Sequence, residues 1–331
     1  MQFVNKTLFA ASVAPCFDET GADCICVAVK ATYVLADPPR LAALQVPVCE
    51  AATYLAEPGL SSLVAVPELV LPTGGTDVVL QGDAWAPRNR PVTCLDTSLA
   101  VRERQKIVRV WGDRTWRVYR LGLTTKPQPF VRMPLIYERA YGGTATGRQG
   151  EVASCLANPI GQGFLGPRGA GEMAGAKRAN LNDAADGEAV AGYGFIDSHW
   201  HPRRAYAGTY DAAWQQTIAP FLPSDFDRRF NRVGPPDMYF DMPLRGGEII
   251  SLVHLAPQPH LRFALPRHAL HARGIGGGEN DIALHLETVL LQPSAGQFCL
   301  LWRGLLPCPG GLQRVERVEA FEAAVGGHRD G

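Results

Sequence analysis

Ile25-Cys26-Val27-Ala28-Val29-Lys30-Ala31-Thr32-Tyr33 decides how the chain is read. Ile25, Val27, Val29, Ala31 and Tyr33 fall on one side of an extended backbone, and Cys26, Ala28, Lys30 and Thr32 on the other. This period of two predicts a half-buried strand. Outward from it, Val78 to Gln81 repeats the pattern. Leu99 to Val101 and Lys106 to Trp111 flank the polar Arg102-Glu103-Arg104-Gln105 as a hairpin would. Ile249 to Leu255 with Leu261 to Leu265, and Thr288 to Leu291 with Phe298 to Trp302, are two further pairs around polar, Pro-containing connections. No strand alternates with a long helix, which disfavours a doubly wound parallel sheet. The 26 prolines and 35 glycines suit a mainly β protein, with antiparallel sandwich-like sheets, long Gly/Pro-rich loops and few short helices.

Two helical stretches are expected. Thr209 to Ile218 precedes Pro220, and Leu312, Val315, Val318 and Phe321 recur every three residues, although Val315 to Phe321 also reads as a terminal strand. Residues 144–191 are rich in Gly, Ala and small polar side chains, including Gly166-Pro167-Arg168-Gly169-Ala170-Gly171. Loops of this length are usually functional or mobile. The chain is read as one domain over 1–331, with β-rich lobes at 1–145 and 192–331 about a Gly-rich excursion at 146–191.

The 331 residues, 46% hydrophobic and 19% charged, can bury a large core. Thirty-two basic residues balance 32 acidic ones, so no global field draws the chain to nucleic acid or an anionic membrane. No apolar run approaches the roughly 20 residues of a membrane span. The eight cysteines are scattered, unlike a disulfide scaffold, and a cytoplasmic, reduced protein is expected. Cys24-x-Cys26 reads as small buried residues rather than ligands. Lys6 followed by Leu8 to Ala14 has a faint signal-peptide outline, but the apolar run is short and ends at Pro15.

Motifs of cofactor chemistry are thin. Gly161 to Gly166 matches G-x-G-x-x-G, yet Asn158-Pro159 precedes it and Pro167 follows, where a dinucleotide site needs a strand and a helix N-terminus. His199-x-His201 and His268-x-x-His271 lack a neighbouring carboxylate or cysteine at zinc-like spacing. No cofactor and no metal is expected. The carboxylates Asp225 and Asp227 would point to the same side if Ser224 to Arg228 were extended, and with Asp211 they form the basis of an alternative: a glycoside or phosphate-ester hydrolase. Arg228 and Arg229 directly follow, and Arg–carboxylate pairing would equally order such a loop.

The densest clue is Trp200 to Phe230, WHPRRAYAGTYDAAWQQTIAPFLPSDFDRRF, where aromatic rings alternate with Arg and Asp, and three prolines break any long helix. Trp200, Arg203, Tyr206, Tyr210, Asp211, Trp214, Asp225, Phe226 and Arg228 are its candidate partner-binding residues, with Trp85 and Arg139 from elsewhere. Such residues make anchored recognition surfaces, and they also pin loops to their own domain. Trp214 is expected to be structural, and Tyr206 with Arg203 to point outward.

The same segment carries a resemblance. Trp200-His201-Pro202-Arg203, Tyr206-Ala207-Gly208-Thr209-Tyr210-Asp211-Ala212-Ala213-Trp214 and Pro220 to Asn231 resemble the bacterial domain-of-unknown-function family whose members act as adaptors or chaperones for type VI secretion effectors. Gly82-Asp83-Ala84-Trp85-Ala86-Pro87, Val110-Trp111-Gly112-Asp113-Arg114-Thr115-Trp116, Met133 to Gly143, Asn158-Pro159-Ile160-Gly161 and Gly246-Gly247-Glu248 match in the same order, from about Asn5 to Arg303. The resemblance implies a non-catalytic cytoplasmic protein. Its partner would be a secreted effector, through a PAAR domain or the toxin's N-terminal region, with the spike protein as a second partner.

Overall fold

The computed structural model describes residues 1–118, 123–146, 150–165, 175–183, 189–276 and 280–323. The expected Gly166 to Gly171 stretch lies outside the described residues. The fold is mainly β, built on three larger sheets with several two-stranded ribbons. A seven-stranded sheet runs in the order Tyr239–Phe240, Thr76–Leu80, His285–Gln292, Gln297–Pro307, Asp23–Val34 and Ala10–Phe17, with Arg40–Leu41 added beside the end of Asp23–Val34. Its neighbours are antiparallel except for Thr76–Leu80 against His285–Gln292. A five-stranded antiparallel sheet follows the order Leu181–Asp183, Arg104–Trp111, Cys94–Val101, Ile249–Val253 and His260–Ala264. The four-stranded sheet joins Gln2–Asn5, Arg317–Glu322, Leu270–Ile275 and Asn280–Ala283. Every one of these sheets draws strands from both halves of the chain.

The hairpins fall where the alternation placed them, with tighter turns. Cys94–Val101 and Arg104–Trp111 are joined by Arg102 and Glu103 alone, with Arg102 at φ 52°. The terminal ambiguity resolves into a short 3-10 turn, Leu312–Arg314, followed by the strand Arg317–Glu322. Val318 and Ala320 then face the core at strand spacing. The segment with the signal-peptide outline supplies the strand Ala10–Phe17, paired along its length with Asp23–Val34.

One expectation is overturned. Asp23–Val34 is not half-buried: from Cys24 to Tyr33 every residue is buried. The odd-numbered side chains Ile25, Val27, Val29, Ala31 and Tyr33 enter the main core with Leu99, Val108, Ile250 and Val318 of the other two sheets. The even-numbered face is covered by a layer of irregular chain, and a second apolar cluster of Leu63, Val66, Val79, Phe195, Val233, Leu290 and Cys299 fills that interface. The polar members of this face therefore require partners. Lys30 Nζ donates to Glu68 at 2.7 Å, Thr32 Oγ1 accepts from Val46 N at 3.0 Å, and Cys26 Sγ donates to the Val70 carbonyl at 3.3 Å. Burial pushes the Cys26 thiol up to about 12 and that of Cys24 to about 11, so both are inert protonated side chains.

Candidate functional site

The Trp200–Phe230 segment divides into a buried root and an exposed excursion. Trp200 is 3% exposed and meets the buried Tyr137 ring edge-on at 5.4 Å. Tyr137 is closely held, because a Cβ on Gly192 would stand 2.6 Å from its ring. Arg203, expected to point outward, is instead buried, and its guanidinium fastens two stretches of the covering layer. Nη1 donates to the Ile196 carbonyl at 2.6 Å, and Nε to that of Phe230 at 2.8 Å. Among the described residues it makes no ion pair, and burial holds it at about 10, below its usual range. Arg203 opens a 3-10 turn, Arg203–Tyr206, and its inward direction depends on the sheet beneath, which residue type alone does not reveal.

The excursion begins at Ala207. Asp211 caps the six-residue helix Ala212–Thr217 by accepting from Trp214 N at 2.8 Å, and the helix is shorter than the expected Thr209 to Ile218. Trp214 Nε1 donates to the Phe221 carbonyl at 2.9 Å, closing the loop, and Tyr210 packs edge-on against the indole at 4.7 Å. Tyr210 remains 53% exposed. The tip leans on the turn joining Ala10–Phe17 to Asp23–Val34. There Phe221 meets Phe17 edge-on at 4.9 Å, and Arg228 pairs with Glu19. Gly21 in that turn has φ 81°, and a Cβ on it would press the Phe221 ring at 3.1 Å. Below the tip, the Arg229 guanidinium lies 4.2 Å over the Tyr206 ring, and Phe226 meets Phe230 edge-on at 6.1 Å.

The extended backbone that would align Asp225 with Asp227 does not form. Ser224 and Asp225 lie in a turn, and Asp227 caps a 3-10 helix at Arg228–Asn231. Asp225 accepts from Thr209 N and Oγ1 at 2.9 and 2.8 Å, and Asp227 from Arg229 N at 2.8 Å and Nε at 2.7 Å. Those bonds hold both carboxyls below their usual range. Each carboxylate serves its own turn. His199 contacts Asp197, His268 contacts Glu322, and His271 contacts Asp281. Among the described residues, no three His, Cys, Asp or Glu side chains are grouped so as to hold a metal ion. Gln162–Gly163 of the glycine motif forms a two-residue strand beside Tyr141–Gly142, and Gly166 is outside the described residues.

The two remaining candidates lie apart from this tip. Trp85 carries the Arg132 guanidinium 4.8 Å above its ring, with Arg132 also 2.6 Å from Asp83. Arg139 reaches Asp113 at 3.1 Å and Asn180 at 3.2 Å on the wall of a cleft of about 510 Å³. That cleft arises because residues 176–183 run alongside 109–116, continuing the pairing of Leu181–Asp183 with Arg104–Trp111. Its other cations, Arg114, Lys126, Lys177 and Arg178, are dispersed in sequence, so no local pattern announced them. A neighbouring apolar groove of about 270 Å³ was equally illegible. Leu55, Leu63, Val64, Leu135 and Phe195 converge there from four separate stretches.

A bacterial family profile, described as an uncharacterized protein conserved in bacteria (DUF2169), matches residues 20–303. The chain belongs to the DUF2169 family. The match takes in the tip, its root, the cleft and the groove, while the strand Gln2–Asn5 and its partner Arg317–Glu322 lie outside the matched span. No curated protein and no solved structure matches this DUF2169 chain significantly. Among the described residues, no helix is long and apolar enough to cross a membrane.

Proposed function

We propose that this DUF2169 protein is a non-catalytic adaptor that binds a type VI secretion effector in the cytoplasm of the producing cell and assists its loading onto the secretion spike. The effector would carry a PAAR domain or offer its toxin N-terminal region, and the spike protein would be a second contact. The reading rests on the motif blocks that run through the matched span. One structural observation carries it: the aromatic tip, where Tyr210, Phe221 and Phe17 are 53%, 39% and 37% exposed while their backbone is tied down by Asp211, Trp214 and Arg228. Large apolar rings on an ordered support give contact area at low entropic cost, and clusters of exposed apolar side chains mark interaction sites. Affinity would come from such anchors, with no covalent step.

The test is co-expression with the products of adjacent genes, followed by purification through a tag on this chain. A stable complex with a PAAR, toxin or spike protein is expected, weakened by Tyr210→Ala. Failure of every neighbouring product to co-purify, or substrate turnover that Asp225→Asn abolishes, would overturn the adaptor reading.

A further inference from the structure

The cationic cleft and the apolar groove open on either side of the segment Leu135 to Arg139, and Ile136 lines both. Among the described residues, the cleft is lined by five cations, Arg114, Lys126, Arg139, Lys177 and Arg178, and by two carboxylates, Asp113 and Glu138. Both carboxylates are already engaged. Asp113 accepts from Asn180 at 2.9 Å and Arg139 at 3.1 Å, and Glu138 accepts from the backbone and side chain of Ser62. Lys126 and Lys177 are exposed and have no carboxylate within ion-pair distance among the described residues. Among the described residues, Arg114 bonds only neutral oxygens, Asn182 Oδ1 at 3.1 Å and the Ala179 carbonyl at 3.4 Å, and its buried Nε has no partner.

Two guanidiniums in this wall are held flat by stacking. Arg114 lies 4.3 Å over Trp111, and Arg178 lies 4.3 Å over Trp116. Stacking fixes the planar fork that carboxylates recognise. Burial, with the nearby Arg178 charge, depresses Arg114 to about 10, and an anion in the cleft would relieve both penalties. Across Ile136 the chemistry reverses. Leu55 and Val64 are 57% and 42% exposed at the groove, and the Leu63 and Val64 carbonyls on the bordering strand accept from the Gln81 side chain, at 3.2 and 2.8 Å. That edge can exchange a side-chain amide for a partner backbone.

We propose that cleft and groove together form a docking surface for an extended, acidic and apolar segment of a partner protein. Its aliphatic side chains enter the groove beside Val64, and its Asp or Glu carboxylates reach across Ile136 to Lys126, Lys177 and Arg114. Charge complementarity selects the sign of the segment, and the aliphatic groove distinguishes it from single-stranded nucleic acid, whose sites offer open aromatic faces. Beside this cleft Trp111 and Trp116 each carry a guanidinium of its lining, Arg114 and Arg178. The inference rests on the adaptor reading only for the segment's origin.

The probe is a fluorescein-labelled synthetic peptide of alternating Leu and Asp, titrated with the full chain by fluorescence anisotropy. Saturable binding that weakens with added salt is expected. The double substitution Lys126→Glu/Lys177→Glu, and separately Val64→Asp, should each weaken it at least about tenfold. Lys126→Ala/Lys177→Ala, which removes charge without adding any, should weaken it in the same direction if the first pair compromises folding. Absence of saturable binding overturns the proposal. So does equal binding of a Ser–Asp peptide, a Leu–Lys peptide or an oligothymidylate, or indifference to the lysine substitutions in folded protein. Co-purification separates the two readings. A partner retained at full strength by the lysine variants refutes this surface and leaves the adaptor reading standing, whereas no partner at all refutes the adaptor reading while the peptide still judges the surface.

Discussion

Glu287 and Arg303 meet on the covered face of the seven-stranded sheet, Oε2 to Nη2 at 2.9 Å, with side chains 0% and 2% exposed. The pairing of their strands shifts register between Leu286 and Thr288, and Glu287 is the extra residue. This bulge re-aims a carboxylate toward the irregular layer, where it also accepts from Thr73 N at 2.8 Å and Gly74 N at 2.9 Å. The pair is thus a rivet between sheet and covering chain. Glu287→Ala should destabilise the protein by about 3 to 5 kcal/mol, because Arg303 is left as an uncompensated buried charge. Glu287→Leu/Arg303→Met should recover part of that loss in urea unfolding, and full recovery would show that the Thr73 and Gly74 bonds contribute nothing.

Asp77 gives the same interface a pH dependence. It is wholly buried, and burial pushes its carboxyl up to about 6, against the opposing pull of hydrogen bonds from Val233 N at 2.9 Å and Gly234 N at 3.0 Å. A folded-state value above the unfolded one means that the stability from this group is fully present below about pH 4 and is lost as pH rises through about 6. A difference of about two units corresponds to about 3 kcal/mol. The stability of the wild type minus that of Asp77→Asn should therefore fall by about this amount between about pH 4 and 7, measured by urea unfolding at each pH. A flat difference would show that the two amides hold the carboxylate ionised throughout.

The strands were legible because alternation is a local property: Ile25 to Tyr33, the Leu99 and Lys106 flanks and the Thr288 and Phe298 flanks all became paired strands. What alternation could not show was the cover over the second face. Lys30 read as solvated because its partner, Glu68, is 38 residues away on irregular chain. The same error befell Arg203, polar and in a loop, yet buried because two carbonyls converge on it. The exposed tip around Tyr210 was visible in composition. The cleft was not, since Arg114, Lys126 and Lys177 become neighbours only when residues 176–183 pair beside 109–116.

Arg203 should act as a structural fastener. Arg203→Ala removes two charge-assisted bonds, each worth about 1.5 to 3 kcal/mol, and leaves the Ile196 and Phe230 carbonyls unpaired. A loss of about 3 kcal/mol or more in unfolding free energy is expected, with faster amide exchange at Ile196, whose N–H bonds the Val233 carbonyl at 2.8 Å. Arg203→Lys should restore little, because one ammonium cannot reproduce the fork. Unchanged exchange at Ile196 in the alanine variant would deny Arg203 this role.

The sharpest contrast lies between Trp200 and Tyr210, ten positions apart in one aromatic segment. Trp200→Ala empties a core site against Tyr137 and should cost about 3 to 5 kcal/mol of stability. Any loss of partner binding in that variant should follow its folded fraction. Tyr210→Ala, at an exposed position on a capped support, should change stability by about 0.5 kcal/mol or less and weaken partner capture by about 2 kcal/mol or more. Melting temperature and co-purification on the same two variants separate scaffold from anchor. If Tyr210→Ala keeps both its stability and its partner, the aromatic tip is not the recognition surface, and the docking role passes to the cleft and groove about Ile136.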